Sequence, residues 1–440
     1  MTMHKFVVNY RKELIIFFIA LAARLFFFAF FYPAFGHDNF IKGDAIEYLN
    51  IAQNIWQTGT FSNLTPPSSV PTISDGPLYP LFLLLTGSRF HFMFPLIFQL
   101  FIGALTAVLV YKLSMRAGLK KSAWLASSFF VLEPGILFFT SQIFTETLFL
   151  FFFLLGLYYI SDSELRTKHV ALAAFFLALA TLARSIALYS SFVLLIYIIV
   201  VSLFKKEALR PIVFKTFAFA GIFLIIISPW VVRNKKSFNV YTISSGEEIS
   251  LAAYAIPAYF SWHDRIGFHD AQIKVQTDYA ARGIYEDFDR GTNFNIRKEF
   301  LKIVSSDPAG YIWSQIRFSP EFFISSGWQS IVDAFQKKRS EVPRFGEMPA
   351  PSAARILGSG FWLVLTLLAL AGILRTLNAE KNNRILYILF ALIIFEFAFL
   401  TGSLAHSRYR FPVNPIIFLF AANAIYEIKT LFPGKEQNAA

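Results

Sequence analysis

The sequence predicts an all-α polytopic membrane protein, a bundle of about ten spanning helices, and three observations carry that prediction. Hydrophobic residues make up 56% of the chain and charged residues only 15%, where soluble domains carry roughly 25% charge. Apolar runs of about the 20 residues needed to cross a bilayer recur along the chain. The Lys and Arg residues gather between those runs, as the positive-inside rule requires of cytoplasmic loops. A water-soluble fold of 440 residues would need far more polar surface to cover its core.

The runs begin near Leu14, Phe92, Ser122, Glu146, His169, Ala187, Pro211, Ile356, Ile385 and Phe411. Lys112, Arg116, Lys120 and Lys121 follow the second run, Arg166 and Lys168 the fourth, and Lys205, Lys206 and Arg210 the sixth. Arg375, Lys381 and Arg384 follow the eighth, and Lys429 and Lys435 the last. All share a side with Lys5, Arg11 and Lys12, which makes both termini cytoplasmic and turns segments 33–91 and 233–355 outward. The first run lacks a small-residue cleavage site and reads as a retained signal anchor. Three regions result: an N-terminal membrane module (1–232) containing the first outer loop (33–91), an extracytoplasmic segment (233–355), and C-terminal membrane helices with a short tail (356–440).

The net charge of +12 and pI near 9.6 invite a nucleic-acid reading. That reading needs a contiguous basic face, and here the cations are scattered between apolar runs, so no nucleic-acid partner is expected. The absence of cysteine excludes disulfides, thiolate metal sites and cysteine catalysis. No P-loop, GxSxG or HExxH motif is present, and the stretch WHDRIGFHD (His263, Asp264, His269, Asp270) has no metal-ligand spacing and reads as exposed loop.

The outward segments have structure of their own. Residues 44–58 place Ala45, Tyr48, Leu49, Ala52, Ile55 and Trp56 on one helical face, with Glu47, Asn50, Asn54 and Gln57 opposite. That pattern is an amphipathic helix lying at the membrane surface. A Pro- and Ser-rich stretch (65–77) follows, then PLYPLFLLL, too short to span. Segment 233–355 mixes charge, aromatics and turn residues and reads as a small helical subdomain, with Asp307–Pro308 as an N-cap and first helical residue.

Several polar residues invite chemistry. Asp44 with Glu47 three residues on reads as a capping box; it reads equally as a carboxylate at the lipid–water boundary, placed to take a proton from an acceptor hydroxyl. Glu133 and Glu146 bracket the second outer loop, where an apolar setting makes a carboxylate costly unless paired or used. Arg184, Arg233, Arg408 and Arg410 stand on the outer side against the topological bias and call for an anionic partner, phosphate or carboxylate. Arg24 and Glu396 lie inside apolar runs and read as a structural pair rather than as catalysts. Asn63 begins a sequon, a weak signal here.

The order of these landmarks resembles one family. GDAIEYLNIAQNIWQTGTF followed by GPLYPLFLLL is similar to the first external loop of GT-C glycosyltransferases of the protein-mannosyltransferase and aminoarabinose-transferase superfamily. FTSQIFTETLFLFFFLLGLYY resembles that family's second external loop and fourth span, and ARSIALYSSFVLLIY, SPWVVRNKKSFN and SRYRFPVNPII its later landmarks. The resemblance implies a GT-C bundle that transfers one sugar, with inversion, from a polyprenyl-phosphate carrier to a lipid, glycan or protein acceptor on the outer face of the cell membrane. It implies Asp44 as general base and Glu146 as a second catalytic acidic position, often Asp in the family. Arg184, Arg233 and Arg408 would bind the carrier phosphate, and Glu47, Tyr48, Tyr79 and Glu133 are further candidate substrate-binding residues. No cofactor is required; the first loop has no D-x-D pair, although a divalent cation could be recruited by oxygen ligands. Segment 233–355 would supply the acceptor specificity that larger members place in a C-terminal soluble domain.

Two rivals compete. A transporter or flippase would gather polar or broken helices at the midplane, often in repeats, and none is visible. A glycan polymerase or ligase would also show many spans and outer arginines, and only the order of the first-loop motifs argues against it.

Overall fold

All ten apolar runs fold as helix in the computed structural model, which describes residues 10–35, 40–41, 43–284, 295–336, 353–379, 383–404 and 406–431. Lys5, Lys381 and Lys435, used above to read the charge asymmetry, and parts of segment 233–355 lie outside the described residues. The N-terminal half runs α1 (Arg11–Phe35), α2 (Asp44–Thr58), α3 (Leu78–Leu85), α4 (Met93–Arg116), α5 (Ala123–Leu132), α6 (Pro134–Thr140), α7 (Glu146–Ile160), α8 (Thr167–Ala183), α9 (Ala187–Phe204) and α10 (Leu209–Phe238). The rest comprises α11 (Gly246–Ser250), α12 (Ile256–His263), α13 (Phe268–Ala281), α14 (Asn295–Ser306), α15 (Pro308–Ile324), α16 (Trp328–Gln336), α17 (Ala353–Ala379), α18 (Arg384–Thr401), α19 (Ser407–Arg410) and α20 (Asn414–Leu431). No strand occurs among the described residues.

Seven of these helical stretches are long and apolar enough to cross a membrane: those of α1, α4, α9, α10, α17 and α18, and Ser407–Ile428. The chain is a multi-pass membrane protein. Three expected spans differ in form. The run from Ser122 is broken into α5 and α6, which meet at 61°. Pro134 explains the break: it cannot donate to the ladder and drives the residue before it out of the helical region, and Glu133 is accordingly extended (φ −66, ψ 118). Helices α7 and α8 have 15 and 17 residues, or about 22–26 Å at 1.5 Å per residue, short of a ~30 Å hydrocarbon core.

The packing matches lipid as the outer solvent. Phe18, Phe26 and Phe30 of α1 and Phe214 and Phe217 of α10 point outward, whereas Phe149, Phe153, Phe390 and Phe397 are enclosed. Arg24 and Glu396 are not the pair the sequence suggested. Arg24 is fully buried, donates to Ala20 O and lies over the Phe130 ring, while Glu396 accepts from Ser190 Oγ on α9. The two sit on different elements, each with a local partner, so sharing an apolar depth did not bring them together.

Three polar anchors shape the loop-rich end of the bundle. Asn54, read as part of a solvent-facing stripe, is buried: its amide donates to Ser62 O and Leu64 O and accepts from Ser68 N, pinning the loop after α2. Arg410, counted among the cations awaiting an anion, instead donates to the carbonyls of Phe322, Phe323 and Ser325. Those are the carbonyls left unpaired where α15 ends. Asp307 caps α15 as expected, accepting from Gly310 N at 2.9 Å ahead of Pro308. Residues Ile256, Val275, Tyr279, Ile284 and Ile296 form a small separate core among α12, α13 and α14.

Candidate active site

One cleft of about 770 Å³ opens at the loop-rich end, and elements distant in sequence converge on it. Asp44 and Tyr48 come from α2, Asp75 from the loop before α3, Arg184 from the end of α8, and Arg408 and Tyr409 from α19. Ile227, Val231, Phe399 and Leu400, on α10 and α18, supply an apolar wall.

The approach to α2 sets the position of Asp44. Gly43 has φ +54, a conformation that glycine adopts at little cost and L side chains rarely do. The helix therefore starts at Asp44 itself, and no side-chain bond caps it. The capping box expected from Asp44 and Glu47 does not form. Glu47 is turned away, accepting only a long 3.4 Å bond from Asn63 Nδ2. The Asp44 carboxylate, with 48% of its side chain exposed, instead meets Arg408 Nη1 at 2.6 Å.

Arg408 is the hub. Its Nη1 holds Asp44, while its Nε donates to Glu146 Oε1. Arg184 Nη1 donates to the same oxygen at 2.5 Å. Glu146 is 0% exposed, enclosed between two guanidinium groups that both donate to it. The sequence puts it forward as a catalytic position; in the structure it is enclosed and in contact with both guanidinium groups. Both arginines keep 18% of their side chains open to the cleft. The His406 ring accepts from Arg408 N at 3.1 Å. Burial and the neighbouring Arg408 charge push the His406 pKa down, which keeps that accepting lone pair free.

Asp75 was missed. It sat in a stretch read as Pro- and Ser-rich loop, yet it is the single acidic residue between Glu47 and Glu133, a signal the sequence did offer. Its Oδ2 accepts from Ser74 Oγ at 2.8 Å, and no cation lies within ion-pairing distance among the described residues. Burial, and secondarily the charges of Glu47 and Asp44, push its carboxyl up to about 7, against the opposing effects of the Ser74 bond and Arg408. Tyr48 is raised well above the usual tyrosine value, first by burial and then by Asp75 and Asp44, so it remains a hydroxyl donor.

The loop that carries Asp75 is held from three sides. Gly76 lies so close to α8 that a Cβ there would fall 2.3 Å from Leu182 O. Ser245 N donates to Ile73 O at 2.9 Å. Arg233 Nη1 donates to Thr72 O at 2.7 Å, with its guanidinium under the Phe61, Trp230 and Phe238 rings. Arg233 thus does not line the cleft, and its donors serve loop carbonyls where the sequence had set it against a phosphate. Four other candidates, Glu47, Glu146, Tyr79 and Glu133, also stand outside the lining. Tyr79 packs edge-on against Tyr48 and donates to Gln99. Glu133 caps α6, accepting from Ile136 N and from Trp328 Nε1.

At the other end of the cleft, Arg297 of α14 faces Glu247 at 3.3 Å and Glu248 at 2.8 Å. Burial pushes Glu248 up to about 7 despite Arg297. Among the described residues no group of three or more His, Asp or Glu side chains is arranged to hold a metal ion; between Asp44 and Glu146 stands the Arg408 guanidinium.

Comparison with known proteins agrees with the resemblance read from the sequence. Residues 92–242 match the family model for dolichyl-phosphate-mannose-protein mannosyltransferase. The oligosaccharyltransferase of the archaeon Archaeoglobus fulgidus shares the fold in three solved states. Its apo form superposes with a TM-score of 0.53 at 12% identity over 96% of this chain and 51% of that one. The complex with an inhibitory peptide and a dolichol-phosphate gives 0.54 at 11% identity over 96% and 51%. The form tethered to an acceptor peptide containing an NVT sequon gives 0.54 at 12% identity over 97% and 51%. At such identities the likeness is one of fold, and the chain spans about half the length of that enzyme. No curated protein matches the chain significantly by sequence.

Proposed function

We propose that this chain is a membrane glycosyltransferase that moves one sugar from a polyprenyl-phosphate carrier to an acceptor hydroxyl at the outer face of the cell membrane, with inversion. The observation that carries the reading is the chain Asp44–Arg408–Glu146–Arg184 along one wall of a cleft whose other wall is apolar. Two guanidinium groups beside an apolar surface suit a lipid phosphate, since arginine pairs bidentately with phosphate oxygens. The family match and the dolichol-phosphate bound by the structural relative support the same donor class.

The chemistry asks for two things. The phosphate leaving group gains negative charge as the anomeric bond breaks, and preorganised cations aimed at that charge lower the barrier. Arg184 and Arg408 are preorganised by Glu146, which leaves them little freedom to reorient. The acceptor hydroxyl must also lose its proton to a carboxylate in the cleft. Asp44 was the expected base; with one oxygen on Arg408, its open side can still orient the hydroxyl. A positively biased set of loops (Arg116, Arg166, Lys168, Lys205, Lys206) at the opposite end supports placing the cleft outside the cell.

The test supplies membranes containing the full chain with a panel of undecaprenyl-phosphate hexoses and pentoses and measures polyprenyl phosphate release. Release from at least one carrier, dependent on the chain, is expected. No release above membranes lacking the chain, across the whole panel, would sink the reading.

A further inference from the structure

We infer that Asp75, not Asp44, is the carboxylate that takes the acceptor's proton, and that Asp44 orients the hydroxyl from its place on Arg408. This inference rests on the transferase reading above and names the base for it.

The argument starts from what each carboxylate is already doing. Three approach the polar end of the cleft. Glu146 is enclosed, with both arginines on it. Asp44 has a 2.6 Å charge-assisted bond to Arg408, so one of its oxygens is already committed to holding that guanidinium. Asp75 lines the cleft with a neutral partner, the Ser74 hydroxyl, and among the described residues no cation lies within ion-pairing distance of it. A base works best with a pKa near the operating pH, and the surroundings of Asp75 move it in that direction. The groups that face it are Asp44, Glu47 and Tyr48 from α2, Ser74 of its own loop, and Arg408 from α19.

The loop is also built to hold a reacting group still. Gly76 is pressed against Leu182 O, two residues before Arg184. Proton acceptor and phosphate clamp are therefore fixed against the same helix end, and Arg233 and Ser245 tie the strand of chain behind Asp75. In the reaction the hydroxyl proton passes to Asp75. The hydroxyl oxygen's electron pair forms the bond to the anomeric carbon. The bond from that carbon to the phosphate oxygen breaks, its electron pair leaving on polyprenyl phosphate beside Arg184 and Arg408. Asp75 then returns its proton to water at the cleft mouth.

The experiment compares Asp75→Asn, Asp44→Asn and Ser74→Ala in full-length protein in membranes, using the undecaprenyl-phosphate sugar that the wild type accepts. Turnover of the wild type should rise with pH through an acid limb near 7, the value burial gives Asp75. Asp75→Asn, which can still accept from Ser74, should lose about 100- to 10,000-fold in turnover and lose the limb. Asp44→Asn should lower turnover but keep the limb. Ser74→Ala removes a bond that favours the ionised form, so its limb should move to higher pH. Infrared titration of the carboxyl band supplies a readout apart from turnover: Glu248 is also raised to about 7, so the comparison is between variants, and Asp75→Asn should lose one carboxyl titrating near 7 that the wild type and Asp44→Asn both retain. Retention of the limb in Asp75→Asn, its loss in Asp44→Asn, or an unmoved limb in Ser74→Ala would each overturn the assignment while leaving the transferase reading standing. A wild type that releases no polyprenyl phosphate would instead remove the reading on which the assignment rests.

Discussion

The bundle carries a charged cluster at each end, and they are built differently. At the end away from the cleft, Asp162 is ringed by Arg116 at 3.2 Å, Arg166 at 3.0 Å and His169 at 2.7 Å. Its carboxylate is 6% exposed and every oxygen is used. At the cleft end, Arg408 and Arg184 enclose Glu146 in much the same way, but the cluster does not close. Asp44 remains half-exposed on Arg408, and among the described residues Asp75, nearby, has no cation within ion-pairing distance. A closed cluster can only hold helices together. An open one retains lone pairs and donors for something that arrives from outside, at a cost in stability that the closed one avoids.

The largest effect that would break this comparison belongs to Arg408→Ala. The change removes the group shared by Asp44 and Glu146 and leaves a buried carboxylate with Arg184 alone. Loss of one donor aimed at developing charge costs on the order of 100- to 1,000-fold in turnover, so at least that is expected. Arg408→Lys, which keeps the charge without the planar fork, should recover only a part. Turnover within tenfold of wild type in folded Arg408→Ala protein would mean that the open cluster is as structural as the closed one.

A smaller effect separates the two roles weighed for Arg233. As a phosphate clamp its loss would weaken carrier binding and raise KM. As the tie on Thr72 O, its loss lets the Asp75 loop drift and lowers kcat, by about tenfold, since misplacement of a reacting group far from the substituted residue has costs of that order and more. Steady-state kinetics of Arg233→Ala should show kcat reduced with the carrier KM nearly unchanged. A KM that rises alone would return Arg233 to the phosphate.

Much of the fold was legible because apolar period and charge asymmetry are properties of short windows. All ten runs became helices, and Asp307–Pro308 started one as expected. The site was legible in part. Asp44, Tyr48, Arg184 and Arg408 converge on the cleft, although they span most of the sequence. The misreadings share a cause. Arg233, Arg410 and Asn54 were judged by their own chemistry, while their partners are backbone carbonyls (Thr72, Phe322, Ser62) whose positions no side-chain pattern announces. Asp75 was hidden by its neighbours' composition. Glu146 was recognised as important for a sound reason, an acidic residue in an apolar setting, but only packing could show that it is fully enclosed.

The smallest expected effect lies at the closed cluster and concerns stability alone. Burial by itself would raise the Asp162 pKa, yet bonds from Arg166, His169 and Arg116 outweigh it and hold the carboxyl well below the usual range. A folded pKa below the unfolded one means that the stabilisation is present above the unfolded carboxylate value, about 4, and fades as pH falls toward the folded value. Asp162→Asn should therefore destabilise the protein by about 1–2 kcal/mol at neutral pH. The more enclosed partners, Arg116 and His169, account for most of that, because the half-exposed Arg166 is screened by solvent. Thermal unfolding in detergent at pH 7 should show a lower Tm for the variant, with the gap from wild type narrowing as the buffer is taken below pH 5. Turnover per folded molecule should stay at the wild-type level. A variant that unfolds like the wild type at pH 7, or one that stays folded but loses turnover, would show that the two ends are not divided between holding and reacting in this way.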